Sequence, residues 1–280
     1  MITYISTKHK GRDSLGMVFC PLYSSSSGNS TFIATEDTAI LVDAGVNALK
    51  IQRALTEIGA SFTDIKAVVI THEHIDHIKG IGVIARRHGI PIIANHGTWE
   101  SIIVQGKAGE IPFEKRIYFE HNTTFYVGDI AITPFETHHD AAASVGYSIE
   151  HESSKISIIS DTGTVCKSMK SHIAGCNLLM IEFNYDEHML RNGKYPVFLK
   201  KRILSNRGHL ANPDAAKIVT YAAQQGCKKF VLTHLSKENN TPEAAYDAAF
   251  EALLECHKTP KKELEILVAR PDKVTKPIIV

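Results

Sequence analysis

The sequence predicts an α/β fold of short buried strands alternating with amphipathic helices. Three observations carry this. Apolar runs such as Ala67-Val68-Val69-Ile70 and Leu178-Leu179-Met180-Ile181 are short and unbroken by polar residues, as in strands covered on both faces. Helical segments with start and stop signals lie between such runs. Finally, Asp43, His72, Asp161, Glu182 and His234 each come directly after, or one residue after, such a run. Ligands of open α/β sheets bind at those strand ends.

Taken in order, residues 1–16 are polar and basic without an apolar stretch. They read as a disordered extension rather than a secretory signal, and a single domain is expected over 17–280. Met17 to Tyr23 is the first strand. Ser24 to Ser30 is a hydroxyl-rich turn with Gly28 and Asn29, which tolerate positive φ. Thr31–Ala34 and Ala39–Val42 are strands, followed by Asp43-Ala44-Gly45. A helix is expected from Ala48 to Ile58, with Asn47 as N-cap and Gly59 beyond its end. Ala67–Ile70 leads into Thr71-His72-Glu73-His74-Ile75-Asp76-His77, and a helix from Ile78 to His88 should stop at Gly89. Pro91–Ala94 is a strand. Residues 98–126 have no clear period. Ile130–Phe135, Ser144–Glu150, Lys155–Ser160, Leu178–Ile181 and Phe230–Thr233 are strands. A helix starts at Pro213 with Asn212 as N-cap and stops at Gly226; another runs from Pro242 to Cys256, capped by Thr241. Leu264–Val268 is the final expected strand.

Composition excludes several classes. The chain has 280 residues, 44% hydrophobic and 22% charged, with a formal net charge of +1. A soluble globular protein fits, and no global field favours nucleic acid or membrane. Five scattered cysteines without a C-x-x-C pattern argue against a disulfide framework or a cysteine metal site. A cytoplasmic location is the simplest expectation. No apolar run approaches the ~18 residues of a membrane span. Of the fifteen histidines, His9, His88, His151, His172 and His257 lie in no ligand-like context.

The dense cluster is the centre of the chemistry. His72, His74, Asp76 and His77 fall on a strand-to-helix turn, and imidazole with carboxylate suits zinc, manganese or iron. Asp161 is either a bridging carboxylate or a turn cap before Thr162-Gly163. His234 is either a ligand at a strand end or a satisfied core histidine. His138 and His139 are adjacent and cannot point the same way. The Ser24–Asn29 turn is either a polar hairpin tip or an anion cradle, in which Ser25, Ser27 and Asn29 would bind substrate. From Arg191 to His209 there are six lysines and arginines, including Lys200, Lys201, Arg202 and Arg207, and no acidic residue. That segment is either a solvated basic face or a footprint for a polyanion.

The pattern H-x-H-x-D-H after a strand resembles the signature of the metallo-β-lactamase fold superfamily, and the likeness runs from about Met17 to the end. It implies a four-layer αββα sandwich with a dinuclear metal site at one edge. By that resemblance His139, before Gly146-Tyr147, is the ligand rather than His138, and Asp43 orients ligand imidazoles. One metal would take His72, His74, His139 and Asp161; the other Asp76, His77, Asp161 and His234. The order Glu182, His209, His234 is similar to the ribonuclease Z branch, although Lys237-Glu238 replaces that branch's arginine-tyrosine pair. Closer still is the YycJ (WalJ) type of bacterial exonuclease, through Ser24–Asn29, His139-Asp140-Ala141, Glu182-Phe183-Asn184, Gly208-His209-Leu210 and Leu235 to Asn240. Ala211 and Ser26 depart from it, where serine and glycine are common. The resemblance implies a metal-dependent DNA exonuclease using a metal-activated water, with two divalent metal ions per chain and Asp76, Glu182 and His209 catalytic. Nucleic acid, DNA by that likeness, is the expected partner, with no membrane and no obligate protein partner. The alternatives are hydrolysis of a small ester, thioester, lactone or β-lactam, a redox di-iron protein, and a non-catalytic nucleic-acid module.

Overall fold

Two mixed sheets form the centre of the molecule. A computed structural model describes residues 16–256, 264–271 and 273–280; the expected extension thus lies almost wholly outside the described residues, as do His9 and His257. The first sheet contains β1 (Val18–Tyr23), β2 (Ser30–Ala34), β3 (Ala39–Val42), β4 (Ile65–Val69), β5 (Ile92–Asn95) and β6 (Arg116–Phe119), and β14 (Ile278–Ile279) adds to β1 at its edge. The second runs in the order β13 (Glu265–Val268), β12 (Lys229–Thr233), β11 (Leu178–Glu182), β10 (Ser154–Ile159), β9 (Val145–His151), β8 (Ile130–Glu136), β7 (Phe125–Val127). In each sheet one half is antiparallel and the other parallel: β3 through β6 run together, as do β10 through β13.

Side chains from the facing sheets fill the middle layer, with Phe19, Ile40 and Val69 on one side and Ile132, Tyr147 and Ile158 on the other. Helices cover the outer faces. Helices α1 (Ala48–Glu57), α3 (Ile81–His88) and α4 (His96–Gln105) pack on the first sheet, and α5 (Lys167–Ile173), α8 (Asn212–Gln224) and α9 (Pro242–Glu255) on the second. This is the expected αββα sandwich. It explains the uninterrupted apolar runs, since both faces of the central strands are covered. Each fully buried aliphatic side chain contributes about 1.5–3 kcal/mol, so this interior holds the strand ends in fixed places.

Several elements differ from the sequence reading. The helix after the cluster is two: α2 (Ile75–Ile78) begins within the cluster, and α3 follows Gly80. Gly80 packs where a Cβ would lie 2.5 Å from the Val46 carbonyl oxygen, and its N–H donates to the Ala44 carbonyl at 2.7 Å. That tie to the loop after β3 interrupts the helix. Asn212 does not cap α8; it exchanges paired side-chain hydrogen bonds with Asn240 at 2.8 and 3.0 Å, and Ala211 stands at the N-cap without a side-chain bond. The unplaced stretch 98–126 holds most of α4, a 3-10 turn and two edge strands. The edge strands β6 and β7 have exposed residues and so lack the unbroken apolar signature. Strand β14 was not expected, and at two residues it carries no periodicity. Asn47 and Thr241 cap α1 and α9 as expected.

Candidate metal centre

Every strand end singled out in the sequence points into one cleft between the sheets. β3 delivers Asp43, β4 the histidine cluster, β8 His139, β10 Asp161, β11 Glu182 and β12 His234. Asp43 and His234 both adopt left-handed backbone, with φ of 61° and 56°. Such conformations are unfavourable for non-glycine residues and persist where surroundings over-determine them. Here they turn the chain sharply at the strand end. The His234 N–H is taken by Ser24 Oγ at 2.8 Å, and Asn184 Nδ2 donates to its carbonyl at 3.0 Å.

The donors fall into groups that share Asp161: His72, His74 and His139 on one side, and Asp76, His77 and His234 on the other. In the first group His74 Nδ1 lies 3.1 Å from His72 Nε2 and 3.2 Å from His139 Nε2. Ligand nitrogens around one tetrahedral zinc, at bonds of ~2.0–2.1 Å, stand roughly 3.3 Å apart, so this convergence fits a cation. In the second, His77 Nε2 is 3.6 Å from Asp76 Oδ2 and His234 Nε2 is 3.7 Å from the same oxygen. Buried His234 Nε2 has no hydrogen-bond partner, which is costly unless something else satisfies it.

Outer partners aim the rings. Asp43 Oδ2 lies 2.7 Å from His77 Nδ1 and also accepts from Thr71 Oγ1 at 2.8 Å. Thr71 Oγ1 is 3.0 Å from His72 Nδ1, and the Gly208 carbonyl is 2.9 Å from His139 Nδ1. With Nδ1 held by these outer partners, each of the three rings turns its Nε2 inward, the arrangement of metal-ligating histidines. The residues present therefore fit divalent metal binding. His138, half-buried, is outside these groups.

Asp161 lies between the two groups, and one of its oxygens does most of the sharing. Its Oδ2 faces both sides, 3.6 Å from His72 Nε2, 3.5 Å from His139 Nε2 and 3.6 Å from His77 Nε2. Ser160 Oγ donates to Oδ1, which lies 3.2 Å from His234 Nδ1. Burial alone would raise the Asp161 carboxyl, but His234 and His77 hold it well below the usual range. Burial pushes His72 well down, with His77 adding to the effect, and His139 down as well. His77 goes the other way: burial opposes its charge, yet Asp43, Asp161 and Asp76 hold it well above the ordinary value.

Beside the donors stands a carboxylate–imidazole pair. Glu182 Oε2 is 3.0 Å from His209 Nδ1 and 3.4 Å from His234 Nδ1, while Oε1 accepts from the Thr162 N–H at 2.6 Å. Burial would raise Glu182, but His209 outweighs it and lowers it. His209 keeps 13% of its side chain exposed, so it reaches the cleft.

A family model described as a beta-lactamase superfamily domain matches residues 38–235. The chain belongs to the metallo-β-lactamase superfamily. Exodeoxyribonuclease YycJ of Bacillus anthracis is 36% identical over 241 residues, covering 86% of this chain and 90% of that one. Exodeoxyribonuclease WalJ of Streptococcus pneumoniae is 36% identical over 261 residues, 93% and 97% of the two chains. The metallo-beta-lactamase fold protein YhfI from Bacillus subtilis superposes with a TM-score of 0.70 at 18% identity, over 94% of this chain and 99% of that one; this likeness is one of fold.

Within this superfamily scaffold the expected substrate contacts are placed unevenly. Ser25 and Asn29 are buried beside the centre: Asn29 Oδ1 accepts the Ser25 N–H at 3.0 Å, and Asn29 Nδ2 lies 3.1 Å from His77 Nε2. Ser27 is exposed at the tip, its N–H bound to Ser25 Oγ at 3.1 Å. Arg207 donates to the His139 carbonyl at 2.9 and 3.1 Å, and Arg202 pairs with both oxygens of Asp140. These two arginines brace the loop that carries His139. Lys200 Nζ donates to the Arg191 carbonyl at 2.8 Å, and Lys201 is exposed. Thr71, Ser24 and Asn184 were not foreseen. The only sequence signal was a small polar residue next to an expected ligand or inside a quoted motif. Among the described residues no helix is long and apolar enough to cross a membrane.

Proposed function

We propose that this chain is a dinuclear-metal-dependent phosphodiesterase that removes nucleotides from DNA ends. The observation that carries the reading is the pair of donor groups sharing Asp161 with His209–Glu182 beside them. The exodeoxyribonuclease relatives, matched over most of their length, support DNA as the substrate. His72, His74, His139 and Asp161 would hold one cation, and Asp76, His77, Asp161 and His234 the other. Two such cations supply charge neutralisation at the phosphate and lower the pKa of water.

The chain's own groups do the rest. Glu182 accepts the Nδ1 proton of His209 and so fixes the ring's orientation with Nε2 toward the cleft. As the general acid, His209 gives its Nε2 proton to the leaving oxygen, so the alkoxide departs as a neutral hydroxyl and the ring is left neutral. Asp43 and Thr71 hold the His77 and His72 rings in place while charge moves.

Wild-type protein with zinc, manganese or iron, given end-labelled single- and double-stranded DNA, should release mononucleotides from an end. His209→Ala should keep its metal and its fold yet lose roughly 10²–10⁴-fold in rate. Intact DNA beside efficient opening of a lactone or thioester would overturn the assignment, as would a His209→Ala variant that digests at the wild-type rate.

A further inference from the structure

The basic segment folds in part into α7 (Val197–Ile203), and the two faces of this short helix differ. Leu199 and Ile203 turn inward and pack with Tyr185, Leu190 and Ala211. The outer face leaves Val197 and Phe198 in water, 69% and 74% exposed. Phe198, Lys201 and Arg202 stand at i, i+3 and i+4, so they share one helix face. Arg202 fastens that face to Asp140, whose Oδ1 is 3.2 Å from His139 Nε2 and 4.0 Å from His74 Nε2. The stripe therefore starts at the rim of the metal centre and runs one turn away from it.

Charge and shape choose the ligand. Arg202 is neutralised by Asp140, whereas Lys194 and Lys201 are exposed and no acidic residue occurs from 191 to 209. An exposed aromatic ring one helical turn from the exposed ammonium of Lys201 suits a chain with phosphates at intervals and flat apolar faces between them. Unpaired nucleobases stack on aromatic side chains while the backbone follows the cations. A closed duplex buries those faces and offers Phe198 nothing to stack on. A second copy of this chain is the competing occupant, but two apolar side chains fall far short of the ~1,000 Å² of a stable interface, and like charges on α7 would face each other.

We propose that α7 is a docking face for single-stranded DNA, with Phe198 as a base-stacking platform and Lys201 as a phosphate contact. It guides an unpaired strand toward the metal rim. This rests on the nuclease reading. Phe198 lies outside the donor groups and on the surface, so its replacement leaves the centre intact.

The test uses the full chain loaded with metal, and reads binding to a single-stranded oligonucleotide and to a blunt duplex. Hydrolysis of bis(p-nitrophenyl) phosphate serves as a control that needs no docking face. Phe198→Ala should weaken single-strand binding roughly 5- to 150-fold, barely change duplex binding, and leave the small phosphodiester unaffected; Phe198→Trp should restore affinity. Lys201→Ala should lower the slope of log affinity against log salt by about 0.7. Single-strand affinity unchanged in Phe198→Ala, or a wild-type dimer that this variant dissociates at unaltered DNA affinity, overturns the proposal while leaving the nuclease reading in place. Wild-type protein that neither binds nor cleaves DNA removes both.

Discussion

Asp161 Oδ2 is the one atom that both donor groups approach. Removing it should therefore act on both sides at once. In Asp161→Ala the two cations would lose a common anionic ligand, and the buried charges around them would be left poorly compensated. Elemental analysis should find both equivalents reduced together; one equivalent kept in full would show that Asp161 serves a single site. The residues of this centre were legible for a physical reason. A charged or metal-ligating type stands out when it follows an apolar strand, as Asp161, Glu182 and His234 do. Thr71 holds His72, and Ser24 and Asn184 hold His234, through hydrogen bonds, and hydroxyls and amides are too common in turns to be noticed. The basic segment was legible as charge only. That Arg202 and Arg207 brace the His139 loop depends on contacts across more than sixty positions of sequence.

At the scale of elements, the loops after β1 and β3 and the cluster loop are laced by backbone hydrogen bonds as well as by the Asp43 side chain. The Asn29 N–H donates to the Asp76 carbonyl at 2.8 Å, the Ala44 N–H to the His77 carbonyl at 2.8 Å, and the Gly45 N–H to the Asn29 carbonyl at 2.7 Å. Gly45 is what permits this approach. A Cβ there would lie 1.5 Å from the Asp76 carbonyl oxygen and 2.6 Å from the Asn29 nitrogen. Both obstacles are backbone, so no rotamer change relieves them. Gly45→Ala should cost about 1–3 kcal/mol, the range of overpacked sites, and should shift Asp76 and His77 more than His72. Metal content should then fall mainly at the group containing Asp76. Unchanged melting and metal content would mean that the loops separate at little cost. The glycine's meaning was hidden in the sequence, where Asp43-Ala44-Gly45 reads as a turn whatever it packs against. The long central strands and capped helices were legible because burial and capping are local signals. Edge elements such as β6, β7 and α7 were not, since some of their residues face water and their place is set by the elements they pack on.

For the whole molecule, the centre couples metal binding to stability and to pH. Burial alone would push His234 down, but Asp161, Asp76 and Glu182 outweigh it and raise it to about 10 in the metal-free chain; His77 is also held well above the ordinary value. Both rings therefore carry protons near neutrality without metal and, in the proposed role of ligands, would have to release them. Because their folded values are raised, they stabilise the metal-free fold fully below the ordinary ~6.5 of histidine. That contribution fades as pH climbs through the folded values, toward about 10 for His234. Metal binding moves the opposite way, since proton competition weakens as pH rises. The gain in melting temperature on adding zinc or manganese to chelator-treated protein should thus be smaller at pH 6.5 than at pH 8.5. At a free metal concentration near 100 times Kd the stabilisation is about 2.7 kcal/mol, which corresponds to roughly 5–10 °C for a chain of this size. Calorimetry in buffers of different ionisation enthalpy should record protons released at pH 7. A melting gain that is constant or larger at the lower pH, with no proton release, would mean that His77 and His234 are already neutral and that the acidic groups around them do not act as described.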